Sequence, residues 1–172
     1  MWLLMIGCTS ALTITIEETS KTTVEAGTIL EDLLDDIGFD DFVTMDITAS
    51  EELKNQGVEP GDIREARMTM LELRVLSPEG GDLAFIEEMA LSVESPDVEL
   101  ATLASQDSFP EGESVVPFDL ADLDLTPYVV SQSLSINTDV TAHRPSEDVE
   151  IEAWFQLEVT ATVQGAVNQV KD

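Results

Sequence analysis

The sequence has few of the residues that most often carry catalysis or hold metals. Its 172 residues include one cysteine, Cys8, and one histidine, His143. A single cysteine cannot form a disulfide within the chain, and zinc sites draw on several Cys and His ligands. The sequence also lacks a glycine-rich phosphate loop and a G-x-S-x-G nucleophile elbow. A disulfide scaffold and a zinc site are therefore excluded, and no local motif marks a nucleophile.

Positive charge is scarce as well. Seven Lys and Arg stand against 36 Asp and Glu, which gives a formal net charge of −29. Nucleic acids and anionic membranes both attract basic surfaces, so the composition excludes nucleic-acid binding and direct adsorption to anionic lipid. Three explanations of the acidity remain open: a solvated, highly soluble surface, adaptation to high salt that screens the repulsion, and binding of divalent cations.

The N-terminus begins with a short apolar run, residues 1–7, that ends at Cys8. A transmembrane helix needs about 20 apolar residues, so this run resembles the end of a secretory signal instead. Met5, Ile6, Gly7 and Cys8 resemble the lipobox of bacterial lipoproteins. Gly7 and Cys8 match its most restrictive positions, whereas Met5 replaces the usual leucine and no basic segment precedes the run.

The lipobox resemblance implies cleavage before Cys8 and a lipid on Cys8. It further implies an extracytoplasmic, membrane-anchored protein, in the periplasm or at the cell surface. The alternative is a buried, unmodified cysteine near an ordinary N-terminus. The missing basic segment also leaves open a true start upstream of Met1.

Alternating apolar and polar residues predict strands along most of the chain. In residues 149–163 every odd position is apolar, and most even positions are Glu, Thr or Gln. Shorter alternations occupy residues 12–17, 43–48, 66–76, 89–93, 98–104, 116–120 and 133–142. About eight strands separated by turn signals predict a mainly β fold, an antiparallel two-sheet β-sandwich with one or two short helices in its connections.

One predicted strand, residues 66–76, changes parity along its length. Met68 and Met70 share one parity, whereas Leu71, Leu73 and Val75 share the other. A β-bulge near Met70 and Leu71 would fix the register, and a strand that crosses between the sheets is the alternative.

Helix signals are few. Residues 28–37 place apolar side chains on one helical face, with a Thr28–Glu31 capping box. Residues 51–56 follow a capping Ser50, and Thr126-Pro127 predicts a short helical turn. With these elements the chain divides into a signal remnant at 1–7, a tether and first strand at 8–20, one β-sandwich domain at 21–165 and a frayed tail at 166–172.

Two acidic clusters are candidate cation sites. Asp35, Asp36, Asp40 and Asp41 surround Gly38-Phe39, and calcium prefers oxygen ligands, although EF-hand spacing is absent. Calcium is the only cofactor that the sequence suggests. The second cluster, Asp119, Asp122 and Asp124, alternates with leucines, which is typical of an edge segment with its apolar side inward.

Trp154 and His143 are the remaining candidates. Trp154 stands on the polar face of the predicted strand 149–163, either as part of a binding surface or covered by a loop or helix. His143 adjoins Arg144 and Pro145 at a strand end, as an exposed loop residue would.

The leading hypothesis from the sequence is a non-catalytic, lipid-anchored protein that binds a protein partner or serves the envelope structurally. One alternative is a carrier of an apolar small molecule, in which helix 28–37 covers an opening between the sheets. Another is a hydrolase, which would need His143 beside a serine and a carboxylate.

Overall fold

Two four-stranded antiparallel sheets form the part of the chain that a computed structural model describes, residues 10–27, 50–131 and 134–163. The first sheet has the order β1-β8-β2-β5 and the second the order β6-β4-β3-β7. The strands are β1 (Ser10–Val24), β2 (Ile63–Ser77), β3 (Ile86–Ser95), β4 (Val98–Gln106), β5 (Val115–Pro117), β6 (Asp119–Leu120), β7 (Ser135–Ala142) and β8 (Val149–Val163). This architecture confirms the predicted β-sandwich.

The first sheet is organised around β8, the strand with the clearest alternation. β1 pairs with β8 from Ser10↔Val163 to Val24↔Val149 without a register shift. The inward positions of β8 are buried from Val149 to Ala161, and its outward positions stay at least partly exposed. The alternation of apolar and polar residues therefore correctly predicts which face of β8 lies in the core.

The predicted bulge in β2 is confirmed. The pairing of β2 with β8 skips Thr69, between Met68↔Leu157 and Met70↔Gln156. The extra residue turns Met68 and Leu71 to the same side, where both line the space between the sheets.

The second sheet departs from its predicted pattern at β4. The sequence places Val98, Leu100 and Ala104 on one face, but Leu100 is 60 % exposed and Leu103 is buried beside Ala104. The cause is a bulge: the pairing of β3 with β4 skips Leu103, between Leu91↔Ala104 and Ser92↔Thr102.

Two predicted short helices are confirmed, α1 (Glu51–Asn55) and α2 (Thr126–Val130), together with a 3₁₀ helix at Pro60–Asp62. The Ser50 hydroxyl caps α1 by accepting a hydrogen bond from the Leu53 amide at 3.3 Å. Within the described residues, neither helix has the length and apolar composition that a bilayer crossing requires. The predicted helix 28–37, the predicted strand 43–48, the signal remnant and the tail lie outside the described residues.

Side chains from both sheets form a single hydrophobic cluster between them. Leu157, Val159 and Phe155 come from β8, and Val93 and Leu103 come from the second sheet. This shared core holds the two sheets face to face and fixes where their connecting turns meet.

Candidate functional site

Several of the predicted site residues fall outside the described part of the chain. These are Cys8, the predicted lipid attachment site, and the four predicted calcium ligands Asp35, Asp36, Asp40 and Asp41. Among the described residues, no group of three or more His, Cys, Asp or Glu side chains has an arrangement that could hold a metal ion.

Trp154 lies half-buried on the outer face of the first sheet. Its cross-strand partners are Thr19 on β1 and Glu72 on β2. The guanidinium carbon of Arg74 lies 4.5 Å from the ring centroid, which is cation–π geometry. A neighbouring cation therefore covers one side of the indole. Trp154 remains a predicted binding residue, but with less free aromatic surface than the sequence suggests.

The polar side chains around Trp154 largely bond one another. Gln156 donates to Glu17 at 2.9 Å, and Thr69 donates to Gln156 at 2.9 Å. Glu152 lies 3.5 Å from the Lys21 ammonium and 3.8 Å from the Arg74 guanidinium. These contacts link β1, β8 and β2 across the outer face. The polar groups involved therefore stabilise the sheet, and a ligand would have to displace these contacts to bind them.

A polar cleft, here named the turn cleft, opens at the end of the sandwich where β2 ends and β8 begins. It has a volume of about 440 Å³ and lies between the β2–β3 and β7–β8 connections. Its lining residues are Pro78, Gly80, Gly81, Asp82, Phe85, His143, Arg144, Pro145, Ser146, Glu147 and Val149. Its volume lies in the range of small-ligand sites, but its lining is more polar than is usual for them.

The β2–β3 wall of the turn cleft is a hydrogen-bonded turn. Gly80 has a φ of 78°, a conformation that favours glycine, and the Gly81 amide donates to the Pro78 carbonyl at 2.9 Å. The Asp82 carboxylate accepts from the amides of Ala84 at 3.1 Å and Gly112 at 2.7 Å. Asp82 therefore fixes two loops and has both oxygens engaged.

The β7–β8 wall is held to its neighbours by backbone bonds. The His143 amide donates to the Phe85 carbonyl at 2.6 Å, and the Gly27 amide donates to the carbonyl of buried Pro145 at 3.0 Å. The Asp148 carboxylate accepts from the Ala26 amide at 2.8 Å. Both walls are thus positioned by the fold, which leaves the side chains at the mouth to contact a ligand.

His143 lies at the mouth of the turn cleft and faces a carboxylate. Its side chain is 73 % exposed, and its Nε2 lies 2.6 Å from Glu87 Oε1. Ser146 lines the same cleft, but among the described residues no serine hydroxyl bonds to the imidazole. The structure therefore supplies the histidine and the carboxylate of a hydrolytic triad without an engaged nucleophile.

Arg144 differs from the other three arginines. Arg64 donates to the carbonyls of Gly61 and Ile63, while carboxylates bind Arg67 and Arg74. In the described part of the chain Arg144 is exposed, and no carboxylate or carbonyl binds its guanidinium. The sequence places His143 and Arg144 at a strand end but does not predict the cleft, for which the turn residues 77–81 and 144–146 are the available signals.

A second, apolar cavity lies between the sheets. Its volume is about 20 Å³, and its lining includes Met68, Met89, Leu103, Phe118 and Phe155. That space holds about one water molecule. Among the described residues, the core between the sheets is therefore filled by its own side chains.

The second acidic cluster forms an edge segment, as the sequence predicts. β6, which contains Asp119, is an edge strand of the second sheet, and Leu125 is buried. Asp122 lies 3.0 Å from Arg67. Hydrogen bonds from the Thr126 side chain and amide lower the pKa of Asp124. The carboxylates of Asp122 and Asp124 are therefore engaged in contacts that hold this segment in place.

A scan against models of known protein families finds no match for this chain, and a search of curated proteins finds no significant match.

Proposed function

We propose that this protein is a non-catalytic binding domain, tethered to a bacterial membrane by a lipid on Cys8 and located outside the cytoplasm. The observation that carries the proposal is the course of β1. It begins at Ser10, two residues after Cys8, and runs 15 residues without interruption. At about 3.3 Å per residue, its far end lies roughly 45 Å from its start.

The turn cleft lies at that far end. Val24, the last residue of β1, pairs with Val149, and Gly27 bonds to Pro145 in the cleft wall. A lipid on Cys8 would therefore hold the turn cleft away from the bilayer, facing the medium. This arrangement suits a domain that binds a ligand or partner from that medium.

The apolar-carrier alternative has less support. An acyl chain needs far more room than the cavity of about 20 Å³ between the sheets. An extra lipid in the purified protein, released only on denaturation, would nevertheless favour the carrier, since residues 28–49 lie outside the described part of the chain.

A hydrolase is the second candidate, because His143 faces Glu87 and Ser146 lines the same cleft. The variant His143→Ala separates the two functions. Ester-substrate turnover that disappears in the variant would establish the hydrolase, whereas ligand binding without turnover in either protein supports the non-catalytic domain.

The tether is tested by mass spectrometry of the full chain, expressed with its own N-terminus in a bacterial host. We expect a mass that corresponds to cleavage before Cys8 plus acyl chains, and membrane association that the Cys8→Ser variant loses. An unmodified Cys8 behind an intact Met1 would refute the tether.

The orientation is tested with fluorophores on the lipidated protein, attached at Ala11→Cys or Ser146→Cys. Ala11 is exposed near the start of β1, and Ser146 lies in the turn cleft. Quencher-labelled lipids should quench the label at position 11 and spare the one at position 146. Equal quenching at both positions would contradict the proposed orientation.

A further inference from the structure

Within the part of the chain that the structure describes, the turn cleft contains one cation, Arg144, that has no acidic partner. The chain carries 36 Asp and Glu, yet no carboxylate in the described residues binds Arg144. A guanidinium is a planar fork of donors that matches a carboxylate in two parallel hydrogen bonds. Among the described residues, Arg144 is therefore available for an acceptor from outside the chain.

The other charged groups at the turn cleft are mostly engaged. Asp82 accepts two backbone amides, and His143 faces Glu87. Ser146 and Glu147 form no hydrogen bond or ion pair within the described part of the chain, and both are exposed. The lining of the cleft therefore combines Arg144 with one hydroxyl and one carboxylate that have no partner among the described residues, and it also includes the apolar side chains of Phe85 and Val149.

Local charge selects among anions. One guanidinium balances one negative charge, whereas a phosphate brings between one and two at neutral pH. Glu147 lines the same cleft in a chain of net charge −29, so it repels any anion, and it repels phosphate more strongly than a ligand with a single carboxylate. A monocarboxylate fits this balance best.

We propose that the turn cleft binds ligands that carry a single carboxylate, and that Arg144 holds this group through paired hydrogen bonds. The proposal rests on the proposed binding function and names its ligand class. A free organic acid and the C-terminal carboxylate of a peptide share this chemistry.

The test is a titration of the full, unlipidated chain followed by ¹H–¹⁵N NMR at constant ionic strength. The probes are sodium lactate, the tripeptide Ala-Ala-Ala, its C-terminal amide and inorganic phosphate. We expect lactate or the free-acid tripeptide to shift the signals of Gly80, Gly81 and residues 144–147, with the amide and phosphate much weaker. The stronger of the first two probes identifies the source of the carboxylate.

Variants locate the interaction. Arg144→Gln should weaken the binding of the better probe by about tenfold or more, since a charge-assisted pair is lost. Arg144→Lys keeps the charge but not the planar guanidinium, so its affinity for the better probe should lie between those of Arg144→Gln and the wild type. The matched control is Arg64→Gln, because Arg64 lies at the opposite end of β2 and its replacement changes the net charge equally.

Three outcomes would overturn the proposal: no shift with any probe up to 50 mM (roughly the weak limit for one charged contact), phosphate as effective as lactate, or equal losses in Arg64→Gln and Arg144→Gln. Arg144 is exposed, so a native ¹H–¹⁵N spectrum of each variant verifies that the fold is intact. Failure here with a lipid on Cys8 would leave the tether standing, while carboxylate binding with an unmodified Cys8 would refute the tether alone.

Discussion

The two sheets of the sandwich are built differently. The first contains three strands of 15 residues, β1, β2 and β8, whereas the second is built from strands of ten, nine, eight and two residues. Several ion pairs and hydrogen bonds link the outer face of the first sheet, and a Thr141–Glu88 bond links that of the second. The difference implies a rigid first sheet and a second sheet that relaxes more readily.

Truncation of a core side chain in each sheet should give the largest difference in the free energy of unfolding. Leu157 lies on β8 between two 15-residue strands, opposite Ile16 on β1 and Met68 on β2, so we expect its neighbours to relax little into a void. Leu103 lies at the β4 bulge, next to the two-residue β6. We expect Leu157→Ala to lower the free energy of unfolding by about 3–5 kcal/mol and Leu103→Ala by about 2–3 kcal/mol.

Urea denaturation monitored by circular dichroism measures both losses, with Leu100→Ala as a control because Leu100 is exposed. Equal losses, or a larger loss at Leu103, would show that the second sheet is as rigid as the first. A large loss at Leu100 would indicate contacts outside the described residues.

The same contrast explains what the sequence predicts. The alternation in β8 identifies its buried face, because two long neighbours and a solvated outer face constrain every residue alike. The bulge at Leu103 escapes prediction because Val98, Leu100 and Ala104 keep one parity, so the local pattern shows no break of the kind that reveals the bulge in β2.

The candidate site was less predictable than the fold. His143 and Arg144 were expected in a loop, but the cleft requires residues 78–85 to meet residues 143–149. That meeting follows from β8 lying beside β2, a pairing between segments far apart in sequence. The contact of Arg74 with Trp154 likewise depends on a register that β2 reaches only after its bulges.

The Trp154–Arg74 contact should contribute a smaller, measurable part of the first sheet's stability. A double-mutant cycle with Trp154→Leu and Arg74→Gln should give a coupling free energy of about 0.5–1 kcal/mol, as expected for a partly exposed cation–π pair. Arg67→Gln in place of Arg74→Gln is the control, since Arg67 pairs with Glu65 and Asp122. A coupling near zero would leave the face of Trp154 free for another partner.

Residues 124–126, which bond to Ala66 on β2, should contribute less to the stability of the fold in acid. The Leu125 amide donates to the Ala66 carbonyl at 2.8 Å, and the Ala66 amide donates to Thr126 Oγ1 at 2.9 Å. Thr126 in turn lowers the pKa of Asp124 from its ordinary value of 3.8. A lowered pKa stabilises the fold above the ordinary value, and that contribution is lost as the pH falls below it.

Asp124→Asn should therefore cost about 0.5–1 kcal/mol at pH 7, since the site is exposed, and less as the pH falls below about 4. Thermal unfolding across pH measures the difference from wild type. Asp122→Asn makes the same charge change two residues away, at a side chain that is 94 % exposed, and should cost less. A loss of stability in Asp124→Asn that is independent of pH would show that hydrogen-bond geometry, not charge, holds residues 124–126 against β2.

The smallest effect concerns the edge of the first sheet, where β1 extends toward α1. Glu18 shares a face with buried Ile16 and Ser20, and its burial, followed by repulsion from Glu52, raises its pKa above the ordinary 4.5. A raised carboxyl pKa means that stability present at low pH is lost as the pH rises from about 4.5 through the folded value. Glu18→Gln removes that loss, so it should stabilise the protein at pH 7 by less than about 1 kcal/mol and have little effect below pH 4. Glu17→Gln is the matched control on the outer face, where Glu17 accepts a hydrogen bond from Gln156, and it should not stabilise. Thermal unfolding at pH 4 and pH 7 distinguishes the cases: equal gains in both variants would mean that relief of the overall negative charge, rather than the position of Glu18 beside α1, sets the stability of this edge.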